Sequence, residues 1–254
     1  MIHTKWDVME NRFYVLDFDG VICDSRAECM ITSFNAYNRF NHSKQKKVFT
    51  WECIPEFQRE LFFKYRYLAR VAKEFKLLWD LILNGHSIDV NLPLGEQADD
   101  DETQLNFYHT LFYDERSFWM GSDIGSWLQH NPLYPGIAQK ITSLQNQHSF
   151  GIISAKDSYS IATILQANSV SIDKNKIFGS EAGDKPGHFR TLRLSNTEDN
   201  IIFIDDNLDN LLLVQSLVTT PYLSLWGYNS QRCVELAQEY RIKTLSQEEF
   251  LHMD

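Results

Sequence analysis

Two aspartates one residue apart, Asp17 and Asp19, directly follow the apolar run Phe13 to Leu16 and are followed by Gly20. Side chains at i and i+2 of an extended segment point the same way, so both carboxylates can face one crevice. Carboxylates held that close repel unless they share a proton or a cation. Mg2+, a hard cation that prefers oxygen ligands, suits the pair. A strand running into an ordinary Asp-Gly turn would spell the same letters, and the rest of the chain discriminates between the two. Ser154 ends a second apolar run, Phe150 to Ile153, and Lys185 stands just before a predicted helix. Asp205 and Asp206 end a third run, Ile201 to Ile204.

A parallel sheet gathers such strand ends at one edge, where open α/β sheets bind ligands. Together they supply a nucleophile, an acid, a hydroxyl, a cation and metal ligands. Phosphoryl transfer needs in-line attack and neutralisation of charge on the equatorial oxygens, which is mostly positioning and electrostatics. An aspartate masked by Mg2+ can attack phosphorus, giving an aspartyl-phosphate that water hydrolyses. A second aspartate can protonate the leaving oxygen and later activate that water.

The elements that must position these groups fall into two kinds. Before residue 25 and after Asn131-Pro132, short apolar strands alternate with helices, the signature of an α/β fold with a Rossmann-like parallel sheet. Predicted helices cover Gly136 to Gln147, Ser160 to Ala167 and His188 to Leu194, with a turn at Gly183 to Gly187 and strands at Lys176 to Phe178, Tyr222 to Leu225 and Ile242 to Leu245. Each of the last two strands is followed by a helix. Between these parts lies a stretch of helical periodicity rich in aromatic residues: Ala27 to Phe40, Pro55 to Leu83 and Thr103 to Trp119, then a shorter helix ending near Gln129. Asn91 to Asp101, with the acidic run Asp99 to Glu102, reads as a solvated loop. The expected organisation is a core of residues 1–24 and 131–254 interrupted by an inserted, mainly helical domain, 25–130.

The long predicted helix from Pro55 to Leu83 concentrates Arg59, Lys64, Arg66, Arg70, Lys73 and Lys76. Arg59, Arg66, Arg70 and Lys73 fall at near-helical spacing and could line one face, either as its solvated side or as cations meeting an anionic substrate.

Composition excludes several classes. The chain has 254 residues, 43% hydrophobic, enough for a real core. Lys and Arg number 24 against 34 Asp and Glu, and the resulting charge of −10 argues against a nucleic-acid-binding role. No run is long enough to span a membrane, and the start Met1 to Asp7 lacks a signal-peptide core, which predicts a cytoplasmic protein. Cys23, Cys29, Cys53 and Cys233 form no Cys-x-x-Cys pair and no zinc-ligand spacing, as expected of thiols in a reducing compartment.

The four segments, in order, spacing and strand context, resemble the haloacid dehalogenase superfamily. Asp17-Phe-Asp-Gly-Val-Ile-Cys-Asp24-Ser25 resembles the opening of its phosphoglycolate phosphatase-like branch, and Leu133-Tyr134-Pro135-Gly136-Ile137 resembles the segment by which such chains re-enter the core. In that branch a helical cap, inserted between the first and second motifs, chooses the leaving group. The resemblance implies Asp17 as nucleophile and Mg2+ ligand, and Asp19 as general acid and base that binds the metal through its backbone carbonyl. Ser154 would donate a hydrogen bond to the phosphoryl group, and Lys185 would steady nucleophile and phosphate. Asp206 would bind Mg2+, with Asp205 a second ligand or a partner behind the ligands.

Ala155 falls in the phosphate-binding set where relatives often carry a polar residue, a departure that implies a weaker phosphate contact or one supplied elsewhere. Asn210 stands where many relatives place another aspartate. His188, Lys156 and Asp157 lie near the motifs, where capping or surface roles are expected. Asp19 argues against halide displacement, which needs neither a metal nor a second acid, and favours hydrolysis of a small phosphorylated metabolite. A phosphosugar mutase would carry the same motifs, and a non-catalytic binding protein could keep the fold without turnover.

Overall fold

The computed structural model describes residues 12–97, 101–195 and 200–253. Met1 to Asp7 and the Asp99-Asp100 part of the acidic run lie outside the described residues. Six strands form one sheet: β1 (Arg12–Leu16), β2 (Ser149–Ile153), β3 (Ile177–Phe178), β4 (Asn200–Asp205), β5 (Thr220–Ser224) and β6 (Lys243–Leu245). Their order is β3-β2-β1-β4-β5-β6, and every pairing is parallel. Strands buried on both faces read as continuous apolar runs rather than alternating ones. That is why Tyr14-Val15-Leu16, Ile152-Ile153 and Phe203-Ile204 are all fully covered.

The chain divides into two compact units, one of Met1–Val21, Pro135–Trp226 and Gln231–Asp254, the other of Ile22–Tyr134 and Gly227–Ser230. The second unit is helical: α1 (Arg26–Phe40), α2 (Glu56–Tyr65), α3 (Glu74–Leu83), α4 (Leu94–Gln97), α5 (Glu102–Ser122) and α6 (Ile124–Gln129). The first unit adds α7 (Ile137–Gln147), α8 (Ser158–Ala167), α9 (Lys185–Ser195), α10 (Leu208–Val214), α11 (Gln231–Glu239) and α12 (Gln247–His252). In its core Val15, Phe203, Phe189, Leu208 and Leu211 pack together, with Phe189 edge-on to Phe203 at a centroid separation of 4.8 Å. Among the described residues no helix is long and apolar enough to cross a membrane.

Three expectations are corrected. The single helix from Pro55 to Leu83 is two, α2 and α3, separated by a 3-10 turn at Arg66–Leu68. The Arg66 guanidinium donates to Ala69 O at 2.6 Å, and the Glu74 carboxylate accepts from the backbone N–H groups of Arg70 and Val71 at 2.6 and 3.3 Å. Glu74 thus satisfies donors that an unbroken helix would have paired internally. The bend also brings Phe62 onto Phe75 and Trp79, with ring centroids 5.7 and 5.1 Å apart. In a straight helix Phe62 and Phe75 would be separated by about 20 Å along the axis.

The stretch at 183–187, expected as a turn, contains the start of α9, whose first two residues are Lys185 and Pro186. Proline is suited to a first helical turn because its missing N–H has no partner to lose there. The loop expected over Asn91 to Asp101 contains the short helix α4, while Asp101 caps α5 by accepting from Gln104 N at 2.8 Å. Helix α10 went unanticipated; it is seven residues long and is started by Asn207, whose side chain accepts from Asn210 N.

Aromatic stacking and a buried ion pair join helices of the second unit. Arg116 on α5 and Glu28 on α1 meet through two hydrogen bonds of 2.9 and 3.0 Å, with side chains 4% and 0% exposed. Thr32 and Trp127 donate to the same Glu28 oxygen, so the carboxylate is fully occupied.

Candidate active site

Register builds the site. Leu16 pairs with Ile204, and Asp17 N donates to Ile204 O at 2.9 Å, continuing the ladder one residue and setting Asp17 beside Asp205. On the other side Leu16 pairs with Ile152, and Ser154 N donates to Phe178 O at 3.0 Å, so β2 ends at the same edge. Lys185, on the first turn of α9, reaches between the carboxylates with Nζ 3.0 Å from Asp17 Oδ1 and 2.8 Å from Asp205 Oδ2. Asp17, Asp205 and Asp206 are all buried and can place one oxygen each within 4.8 Å of the others.

The three carboxylates differ in what they have left to offer. Asp205 accepts from Lys185 and Asn210 on one oxygen and from Asn207 N and Asn210 on the other, at 2.8 to 3.3 Å. It is therefore saturated by protein donors and orients Lys185. Asn210 gives its amide to this task. Asp206 lies against Gly20, where an added Cβ would stand 2.0 Å from Asp206 Oδ2. Gly20 also has φ +83°, so both its missing side chain and its backbone freedom are used. An all-oxygen donor set carrying more negative charge than Lys185 neutralises fits a hard divalent cation such as Mg2+.

Charge crowding shows in the proton equilibria. Burial pushes the Asp17 carboxyl up, Lys185 pulls it back, and Asp205 and Asp19 push it up again, to about 7. Burial works to lower the Lys185 pKa, but Asp17 and Asp205 more than offset it and leave that lysine held above its ordinary value.

Asp19 stands apart from this cluster. Its side chain is 17% exposed and pairs with Lys156, Nζ to Oδ1 3.2 Å, while the Lys156 side chain is 0% exposed. The expectation of a surface or capping role for Lys156 is thereby corrected: the ammonium is buried against a carboxylate. His188 is buried too, its Nε2 3.3 Å from Gly179 O and its ring tilted against Phe178. Asp157 does cap, accepting from Ser160 N at 2.8 Å. Lys156 was missed because nothing in its sequence neighbourhood says which strand end its side chain will meet.

Ser154 is buried at the end of β2, where its Oγ accepts from Lys156 N at 3.3 Å; Ala155 beside it is half-buried. In the helical unit the basic residues do not share one helix face. The Arg59 guanidinium lies over the Trp51 ring at 5.0 Å, Arg66 is buried over Phe75 and Tyr228, Arg70 pairs with Glu74 at 3.0 Å, and Lys73 pairs with Glu102 at 2.7 Å.

No protein-family profile and no curated protein matches the chain. Solved structures do. A predicted phosphatase from Clostridium acetobutylicum superposes with a TM-score of 0.64 at 15% identity, covering 95% of this chain and 97% of its own. A structure described as a haloacid dehalogenase-like hydrolase, from Bacteroides fragilis, gives 0.62 at 18% identity over 92% and 96%. A predicted phosphoglycolate phosphatase from Haemophilus somnus gives 0.61 at 14% identity over 97% of both chains.

Proposed function

Since the chain carries the α/β fold of haloacid dehalogenase-like hydrolases, we propose that it is a Mg2+-dependent phosphatase of a small phosphorylated metabolite in the cytoplasm. One observation carries the reading: Asp17, with its pKa near 7, shares Lys185 with Asp205 and lies within ligand distance of Asp206. A carboxylate so placed is unreactive while protonated and becomes a nucleophile once it releases that proton to solvent, its charge then balanced by a cation.

Asp17 attacks phosphorus and the bond from phosphorus to the leaving oxygen breaks, while Asp19 delivers a proton to that oxygen. Water then attacks the aspartyl-phosphate, giving a proton to Asp19, and the bond between phosphorus and the Asp17 oxygen breaks to release phosphate. Asp17, Asp206 and the backbone carbonyl of Asp19 would hold Mg2+, which supplies neutralisation of the charge on Asp17 and on the phosphoryl oxygens. Lys185 adds positive charge beside them, Asp205 holds Lys185 in place, and Ser154 and the backbone at Ala155 bind the phosphoryl group. The helical segment 25–130 is the proposed selector of the leaving group. Arg59, Arg66 and Arg70 are its candidate anion contacts.

Phosphate release from an aryl phosphate by purified protein tests the reading. Turnover that requires both Mg2+ and an intact Asp17, and is abolished in Asp17→Asn, supports it. Turnover only with a sugar bisphosphate present would make the protein a mutase. No release from aryl or sugar phosphates, and no labelling of Asp17 by acetyl phosphate, would overturn it in favour of a non-catalytic binding protein.

A further inference from the structure

Three of the acidic side chains at this sheet edge, Asp17, Asp19 and Asp205, pair with one or other of two lysines. Lys185 serves Asp17 and Asp205. Lys156 serves Asp19. The backbone of Lys156 is tied on both sides, its N–H to Ser154 Oγ at 3.3 Å and its carbonyl to Ser180 N at 3.2 Å. Its side chain is 0% exposed against 17% for Asp19, so the ammonium is covered while the carboxylate it holds stays partly open to solvent.

We propose that Lys156 is a positioning residue that aims the Asp19 carboxylate at the leaving oxygen and keeps it from swinging towards Lys185 and the carboxylate cluster. This rests on the phosphatase reading, in which Asp19 is the proton donor. A flexible Asp19 would be drawn to the nearest remaining positive charge, and a displaced donor costs rate in proportion to how much the reaction needs its proton. Leaving groups sort that need. A nitrophenolate departs without a proton, whereas an alkoxide does not. The comparison uses kcat/KM, which stops at the first phosphoryl transfer and is blind to the later hydrolysis step.

The experiment measures kcat/KM of wild type, Lys156→Met, Lys156→Arg and Asp19→Asn on a nitrophenyl phosphate and on an alkyl phosphate, with Mg2+ present. For Lys156→Met the expected loss is about 10- to 100-fold on the alkyl ester and under about 3-fold on the nitrophenyl ester. Lys156→Arg should recover part of the alkyl loss, and Asp19→Asn should show the same bias more strongly. An equal loss on both esters, or none, would overturn the proposal by making Lys156 merely structural. Circular dichroism checks folding; should Lys156→Met fail to fold, Lys156→Gln gives the same comparison. A failed reading is distinguishable, because then wild type turns over neither ester or Asp19→Asn shows no bias.

Discussion

Removing the charge of Asp17 should make the metal-free protein more stable at neutral pH. The Asp17 carboxyl moves from an ordinary 3.8 to about 7, driven first by burial and opposed by Lys185. Between those values the native state keeps a proton that the unfolded chain has released. The sign follows: stability is greatest near the ordinary carboxyl pKa and is lost as pH rises towards 7. Lys185 is held above its ordinary value, so its contribution is complete below its unfolded pKa and stays constant over this window.

From about pH 5 to about pH 8 the Asp17 contribution amounts to roughly two pK units, or about 2–3 kcal/mol. For a chain of this size that corresponds to about 5–10 °C in melting temperature. Scanning calorimetry in chelator should show wild type losing that increment across the range and Asp17→Asn losing much less. Adding Mg2+ at about 100 times its Kd near pH 8 should return about 2.7 kcal/mol to wild type and little to Asp17→Asn. Parallel pH curves for the two proteins would refute the account of the buried carboxylate. The predicted wild-type pH effect without any Mg2+ response would refute the metal site alone.

Gly20→Ala should abolish Mg2+-dependent stabilisation and turnover, since its Cβ would collide with the Asp206 carboxylate at 2.0 Å in a backbone of φ +83°; thermal shift with and without Mg2+ checks this. Arg116→Met should cost about 3–5 kcal/mol in urea unfolding by leaving Glu28 buried and unpaired, whereas replacing both partners with apolar residues should cost much less. Equal costs for the single and double replacements would show that the pair itself, rather than its desolvation, holds α1 to α5.

Apart from Lys185, which stands at a helix start, the residues that could do chemistry were legible because they follow apolar runs, and a parallel sheet gathers strand ends whatever else the chain does. The strands were readable as short continuous apolar runs, and α1 and most helices after Pro132, α10 excepted, from a period of 3.6. What the sequence by itself determined was therefore which groups reach the sheet edge: Asp17, Asp19, Ser154, Lys185, Asp205 and Asp206.

Which of these groups touch was decided only in three dimensions. The β1–β4 register sets Asp17 beside Asp205 and lets Lys185 bridge them. The approach of β1 and β2 gives Asp19 to Lys156, a residue 137 positions away in the chain. The break between α2 and α3 was equally invisible, because the spacing from Pro55 to Leu83 suits one helix. Glu74 capping and the stacking of Phe62 on Phe75 and Trp79 favour two. Local periodicity records which face of an element is buried, whereas an ion pair or a ring stack depends on the separation of two elements, which only their packing defines.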